Sequence, residues 1–232
     1  MGISRGNITT NIIKKGLVFN MDAANRASYP KTGTTATDTI NSLSGTLTND
    51  TSFITLPVSS SCFAFDGVDD YINFGTSANV EIAGDMTINA WVYPLSGIDD
   101  YARIITKRDA GGTNYQYYLD TSDPRKQRFF DGDGSSIITS TTGLSFSNWH
   151  NTCISIKSGV TNGSTMYLNG ASDGTGTSTI TSDDANLAIG ASVAFSGADW
   201  KGNISCIQVY NRALSASEVL FNYNGLKSRF GL

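Results

Sequence analysis

The sequence predicts an all-β domain, a sandwich or barrel, and three observations carry that prediction. Strand-like runs of about 5 to 9 residues recur between clusters of Gly, Asp, Asn and Ser. Only 16% of the 232 residues are charged, whereas Ser, Thr, Asn and Gly abound. That composition suits strands and tight turns, and long surface helices would draw on more Glu and Lys. Nowhere do a strand, a helix and a second strand follow one another within the roughly 30 residues of a βαβ unit.

Residues 1–15 are polar, with Arg5, Lys14 and Lys15, and carry no clear period, so they read as an arm that orders against a partner. The domain proper is expected over 16–225, opening with a strand through Asp22 and the turn-rich stretch 28–39. The clearest further strands are 62–65, 71–74, 86–93, 102–107, 115–120, 128–131, 153–157, 165–168, 186–189 and 204–210. In 86–93 the set Met86, Ile88, Ala90 and Val92 alternates with Thr87, Asn89, Trp91 and Tyr93. One face is aliphatic and the other polar with aromatics, so both are expected to be partly covered. A one-residue slip would bury Thr87 and Asn89 against the main core.

One helix is expected, over 214–225. Ser215 and Glu218 have capping-box spacing, Leu214 and Val219 stand where a hydrophobic staple would, and Gly225 supplies a stop. Ala216, Val219, Leu220 and Tyr223 would form its packing face. Residues 226–232 then read as a tail that mixes basic and apolar groups.

Formal net charge is −4 and basic residues form no run, so the field that non-specific nucleic-acid binding needs is missing. No apolar stretch reaches membrane-spanning length, and the first residues lack the apolar core of a signal peptide. Cys62, Cys153 and Cys206 are odd in number and far apart, without zinc spacing, and read as buried thiols, with a single disulfide as the alternative.

Seven segments in order, GLVFNMDAANRASYP, SGTLTND, FDGVDDYINF, MTINAWVYP, SNWHNTCISI, TMYLNG and GNISCIQVYNRALSASEV, together resemble laminin G-like members of the concanavalin A-like lectin/glucanase superfamily. The versions they resemble most are those common in bacteriophage structural proteins. The resemblance implies a jelly-roll sandwich of two antiparallel sheets with about 12 to 14 strands and one short C-terminal helix. It also implies that Trp149 packs inward while His150 points out. The function it implies is non-enzymatic: a virion structural or accessory protein, capsid-decorating or tail- or fibre-associated. Such a protein would be made in the host cytoplasm, contact other virion proteins through the arm and tail, and display a lectin-like domain. A homo-oligomer is compatible with this role.

Fold alone does not assign chemistry. A retaining glycosidase needs two carboxyl groups about 5 Å apart. The chain has two glutamates, Glu81 in a turn-like segment and Glu218 at the helix cap, so a polysaccharide hydrolase is the weaker alternative. The single histidine, His150, has no GxSxG serine to serve. Calcium takes carboxylate and carbonyl oxygens, and in FDGVDDYINF Asp69 and Asp70 are the weak candidate ligands, set against a plain hairpin turn at Asp66-Gly67. Around Asp131 the EF-hand pattern fails, because Thr142 stands where its bidentate Glu belongs. Sugar recognition needs aromatic faces and amide or carboxylate partners for hydroxyls. Tyr101, Tyr115, Tyr117, Asn114 and Trp200 are the candidates, with Tyr118, Asp99 and Asp100 nearby. They would let the domain serve as an adhesin for host-surface glycans. The competing expectation is that these aromatics pack the sandwich or an assembly interface.

Overall fold

The structure, a computed structural model, describes residues 11–55, 61–108, 113–132, 137–193 and 197–232. The first ten residues of the expected arm, and Asp133 and Gly134 of the Asp131 turn, lie outside that set. Sixteen strands run in chain order among the described residues. They are β1 Leu17–Asp22, β2 Thr35–Thr37, β3 Ser44–Thr48, β4 Ser52–Ile54, β5 Cys62–Asp66, β6 Tyr71–Gly75, β7 Met86–Pro94 and β8 Ala102–Arg108. The second half comprises β9 Thr113–Asp120, β10 Lys126–Asp131, β11 Ile137–Gly143, β12 His150–Ile156, β13 Ser164–Leu168, β14 Ala171–Gly176, β15 Leu187–Ile189 and β16 Lys201–Tyr210. One α-helix, α1, spans Ala216–Leu226.

These strands form two eight-stranded antiparallel sheets packed face to face. The first has the order β14-β13-β12-β7-β16-β5-β4, and the second β11-β10-β9-β8-β15-β6-β3-β2. In the first sheet β16 is long enough to serve two neighbours on one side. Its opening residues, Lys201 to Ile204, pair β5, and after an irregularity its later residues pair β1. Between the sheets lies the main core, where Met86, Ile88, Ala90 and Val92 of β7 meet Tyr115, Tyr117 and Leu119 of β9.

The opposite face of β7 is also covered, as its mixed alternation predicts. Trp91 joins Cys153, Tyr167, Cys206 and Tyr210 in a second apolar cluster beneath α1. Polar side chains on this face are buried too, and they pair across strands. Asn151 donates to Asn89 (3.0 Å), Asn89 to Gln208 (2.7 Å) and Gln208 to Asn20 (3.2 Å). Amides suit this role because each offers both a donor and an acceptor to the next strand.

The helix begins with the predicted capping box. The Glu218 amide donates to Ser215 Oγ and the Ser215 amide to Glu218 Oε2. Arg212 adds two hydrogen bonds to the same carboxylate, at 2.9 and 2.6 Å. Hydrogen bonding from Arg212 first, and from the Ser215 backbone, holds Glu218 at about 2, below the ordinary glutamate value of 4.5. A depressed carboxylate stabilises the fold above its unfolded value and loses that contribution as pH falls. Glu218→Gln is therefore expected to cost about 1 to 2 kcal/mol at pH 7, the pair being open to solvent on one side. The deficit should shrink between pH 4.5 and about 2. Paired urea titrations across that range check it, and a pH-independent deficit would contradict the assignment.

Expectations about the helix and both ends of the chain are corrected. Gly225 does not stop the helix; it lies inside it, and an added Cβ would stand 2.2 Å from the Asn11 carbonyl. A 3-10 turn, Lys227–Phe230, continues from α1, and Gly231 at φ +74° ends it. The packing face is Val219, Asn222 and Leu226, with Tyr223 stacked on Trp91 as expected, while Ala216 and Leu220 are exposed, Leu220 by 45%. Asn222 faces the sheet because it is doubly bonded: it donates to Tyr210 Oη (3.0 Å) and accepts from the Ile13 amide (2.8 Å). Residues 11–15 are thus docked on the domain, with Ile12 in the second cluster. Residues 226–232 are docked as well. Phe230 stacks on Trp91 with ring centroids 4.1 Å apart, and Arg229 meets Asp22 through two 2.8 Å bonds.

FDGVDDYINF is not a hairpin. β5 belongs to the first sheet and β6 to the second, so residues 66–70 turn the chain from one layer to the other. The Val68 amide donates to Asp66 Oδ1 and the Asp66 amide to Asp70 Oδ2. Gly67 has φ +82°, and an added Cβ would lie 2.7 Å from the Lys201 Cβ. Gly67→Val is expected to cost about 2 to 3 kcal/mol, from a β-branched residue at positive φ plus that contact. Asp69→Ala, at an exposed position, should stay within about 0.5 kcal/mol. Thermal melts of the two variants compare them directly, and equal melting temperatures would refute the corner geometry.

Candidate functional site

The carboxylates of the corner do gather. Asp66, Asp69 and Asp70 each offer an oxygen within 4.8 Å of the others. Turn amides already engage Asp66 and Asp70, and the Asn49 side chain donates to the Asp69 carbonyl at 2.6 Å. The cluster is therefore accounted for as the frame of a sheet-to-sheet corner. Its electrostatic cost falls on Asp70, which is almost fully buried with Oδ1 left without a partner. Burial, and then the charges of Asp66, Asp69 and Asp50, push its carboxyl above the usual range, against the Asp66 amide bond. A raised carboxylate pKa means that stability falls as pH rises through it. Asp70→Asn should accordingly raise the melting temperature at pH 7 in the presence of a chelator. A lower melting temperature would mean that the charge is needed there.

The single histidine is structural, but its placement inverts the expectation. His150 is buried and donates from Nε2 to the Ser145 carbonyl at 3.0 Å, and burial lowers its pKa. Trp149 is the more exposed of the two, tilted against Tyr93 and Phe230 at the rim of the second cluster. The reason is register: β12 starts at His150, which pairs Val92, and Trp149 precedes the strand. The three cysteines are free and buried, and burial pushes the Cys62 thiol up to about 12.

Of the five residues expected to bind sugar, four face inward. Tyr115, Tyr117 and Trp200 are fully buried in the main core. Tyr117 Oη donates to Gln127 Oε1. Asn114 is buried as well, and its amide donates to the carbonyls of Ile82 (3.1 Å) and Thr181. No ring face of these residues is open to a ligand. Period-2 alternation does put Tyr115 and Tyr117 on one face, but that face is the core. Tyr101 alone is half exposed, at φ +61°, a conformation rare for a bulky residue. Of their neighbours, Asp100 accepts from the Thr121 hydroxyl and Asp99 is exposed.

The opposite face of β9 carries a groove. Tyr101, Arg103, Arg108, Gln116, Tyr118, Phe130 and Ile137 line a volume of about 220 Å³ on the outer surface of the second sheet. Sheet register assembles it: Tyr118 pairs Arg103 of β8 on one side and Arg128 of β10 on the other. Gln116 pairs Thr106 and Phe130 in the same way. The Arg103 guanidinium lies over the Tyr118 ring at 5.0 Å and donates to the Tyr101 carbonyl. Tyr101 leans on Tyr118 with centroids 5.8 Å apart. Arg108 donates to Gln116 Oε1 at 3.3 Å. Burial, with Arg108 adding to it, lowers Arg103 to about 10, so it remains charged at neutral pH. The groove thus offers the exposed Tyr101 ring at its rim and a half-buried cation stacked on Tyr118, above the buried Gln116 amide, and its lining contains no carboxylate among the described residues.

The arginines were missed in the sequence because each lies on a different strand from the tyrosines. For Arg103 the available signal is a charged residue inside an otherwise apolar run, Ala102-Arg103-Ile104-Ile105, whereas Arg108, after Thr106-Lys107, carries none.

Comparison with solved structures finds the same fold at low identity. Domain 4 of the extracellular arabinanase AbnA from Geobacillus stearothermophilus, in complex with arabinotriose, is 16% identical with a TM-score of 0.69. That match covers 91% of this chain and 100% of that domain. The Trypanosoma rangeli sialidase in complex with sialic acid is 14% identical with a TM-score of 0.68, over 94% of this chain and 34% of the sialidase. The binding domain of Paraclostridial Mosquitocidal Protein 1 is 16% identical with a TM-score of 0.63, over 90% of this chain and 52% of that one. No curated protein sequence matches the chain. A family model does, across residues 66–220, from the corner after β5 through the middle of α1. With two antiparallel sheets, one short C-terminal helix and a match over most of its length, the chain belongs to the concanavalin A-like lectin/glucanases superfamily.

Proposed function

We propose that the protein is a non-enzymatic recognition module that binds glycans through the Tyr101 groove and is displayed on a bacteriophage particle. The observation that carries the binding reading is the groove itself. Its exposed Tyr101 ring and the Arg103 guanidinium stacked on Tyr118 offer a sugar both an apolar face and hydrogen-bond donors. The arabinanase domain determined with arabinotriose supports it by sharing the fold over that domain's whole length. Among the described residues the groove is lined without a carboxyl pair, which favours binding over hydrolysis. Display on a particle rests on the ordered motif set and its likeness to bacteriophage structural proteins.

A glycan array with the full chain tests binding, and Tyr101→Ala should abolish the positive signals. Reducing-sugar release by the purified protein would instead favour a hydrolase. Mass spectrometry of purified particles tests display, and absence of the chain from them would overturn that half of the proposal.

A further inference from the structure

We infer that the corner between β5 and β6 binds one calcium ion through carboxylate oxygens of Asp66, Asp69 and Asp70, beside a fourth carboxylate, Asp199, on the segment that leads into β16. This site is separate from the groove and does not depend on the glycan-binding reading.

Burial is the first support, and it separates this turn from an ordinary acidic loop. The hydrogen bonds that frame the corner use Asp66 Oδ1 and Asp70 Oδ2. Asp70 is 3% exposed, and its Oδ1 is left buried without a partner. A buried carboxylate oxygen with no donor is costly, and a cation shared with the exposed carboxylates of Asp66 and Asp69 relieves that cost. The second support is spacing. Each of the three carboxylates presents an oxygen within 4.8 Å of the other two. Calcium gathers oxygens at about 2.3–2.6 Å, so these atoms can share one ion, whereas magnesium at about 2.0–2.1 Å would have to draw the turn inward. Charge from elsewhere in the chain is the third. Asp199, 5% exposed, carries a carboxylate that feels the charges of Asp66 and Asp69. Lys201 pairs Asp66 in the β5–β16 register, and its Cβ would stand 2.7 Å from a side chain at Gly67. Among the described residues, neither it nor any other cation forms an ion pair with these four carboxylates. Arg103 acts on Asp199 through its field without such a pair. A site of carboxylate oxygens, with no nitrogen or sulfur donor in the cluster, suits a hard cation.

The test is thermal melting and calorimetric titration of the full chain with CaCl2, set against MgCl2 at equal ionic strength and against a chelator. One calcium per chain should bind. At about ten times its dissociation constant, calcium should raise the melting temperature by about 3 to 5 °C over the chelated protein. Magnesium should give less than about a third of that shift. Asp70→Asn should melt above the parent in chelator and yet show no calcium response. Asp69→Ala, nearly neutral in chelator, should weaken calcium binding about tenfold or more. No calcium shift in the parent would overturn the inference. An equal shift with magnesium would point to general screening of surface charge and overturn it too. A calcium response undiminished in Asp70→Asn would place the ion elsewhere and have the same effect. If Asp70→Asn fails to fold by circular dichroism, Asp69→Ala, at an exposed position, still decides the matter.

Discussion

Arg229→Ala is expected to cost about 3 to 5 kcal/mol and to lower the melting temperature by roughly 10 °C. Arg229 and Asp22 are both buried and share two 2.8 Å bonds, so truncating the arginine leaves a carboxylate inside the protein without its cation. The Asp22 carboxylate also accepts from the Ala24 amide, so it cannot swing outward without releasing the turn after β1. The same variant loosens Phe230, which covers Trp91 on the outer face of the first sheet. Urea unfolding followed by tryptophan fluorescence measures the loss. Asp22→Asn combined with Arg229→Met should recover part of it, because a neutral pair of similar volume avoids the stranded charge. A loss below 1 kcal/mol for Arg229→Ala would mean that the C-terminal turn is a loose appendage, as the sequence suggests.

Why the sequence suggests that is itself physical. Lys227-Ser228-Arg229-Phe230 has too few residues to display a period, and its burial depends on Asp22 and Trp91, which lie more than a hundred positions away. The central strands were legible because β7 and β16 carry enough apolar residues to fix their own alternation. β2, β3, β4, β11 and β14 were not, since they are short or built largely from Ser, Thr and Gly and take their strand character from a neighbour. The corner at 66–70 was misread for a different reason. Phe63, Phe65, Ile72 and Phe74 all point into the core, and they would do so whether β5 and β6 were paired in one sheet or faced each other across two. Alternation reports which side is buried and is silent on which sheet supplies the partner. The groove was invisible on the same grounds. Arg103, Tyr118 and Arg128 meet only through the register of three strands, whereas Tyr115 and Tyr117 advertise themselves as neighbours.

That distinction makes the two aromatics at the ends of the argument about sugar binding separable. Trp200→Ala should cost about 3 to 5 kcal/mol, the range for emptying a fully buried large side chain, which is much of the stability of an ordinary domain. Its ring is among the largest groups in the main core, and its backbone amide donates to the Gly190 carbonyl at 2.7 Å, next to Phe65. Any loss of glycan binding in this variant should follow the loss of folded protein. Tyr101→Ala should change stability by less than about 1 kcal/mol, since the residue is half exposed and its carbonyl contact to Arg103 survives the substitution. Binding in this variant should nonetheless fall at least tenfold with the melting temperature nearly unchanged. Melting curves and glycan titrations on the same two samples decide it. A Trp200→Ala protein that melts like the parent but no longer binds would put the indole at the ligand and refute the groove. The opposite pattern ties recognition to the outer face of the second sheet, where Tyr101 is exposed, held at positive φ, and leans on the Tyr118 ring that Arg103 covers.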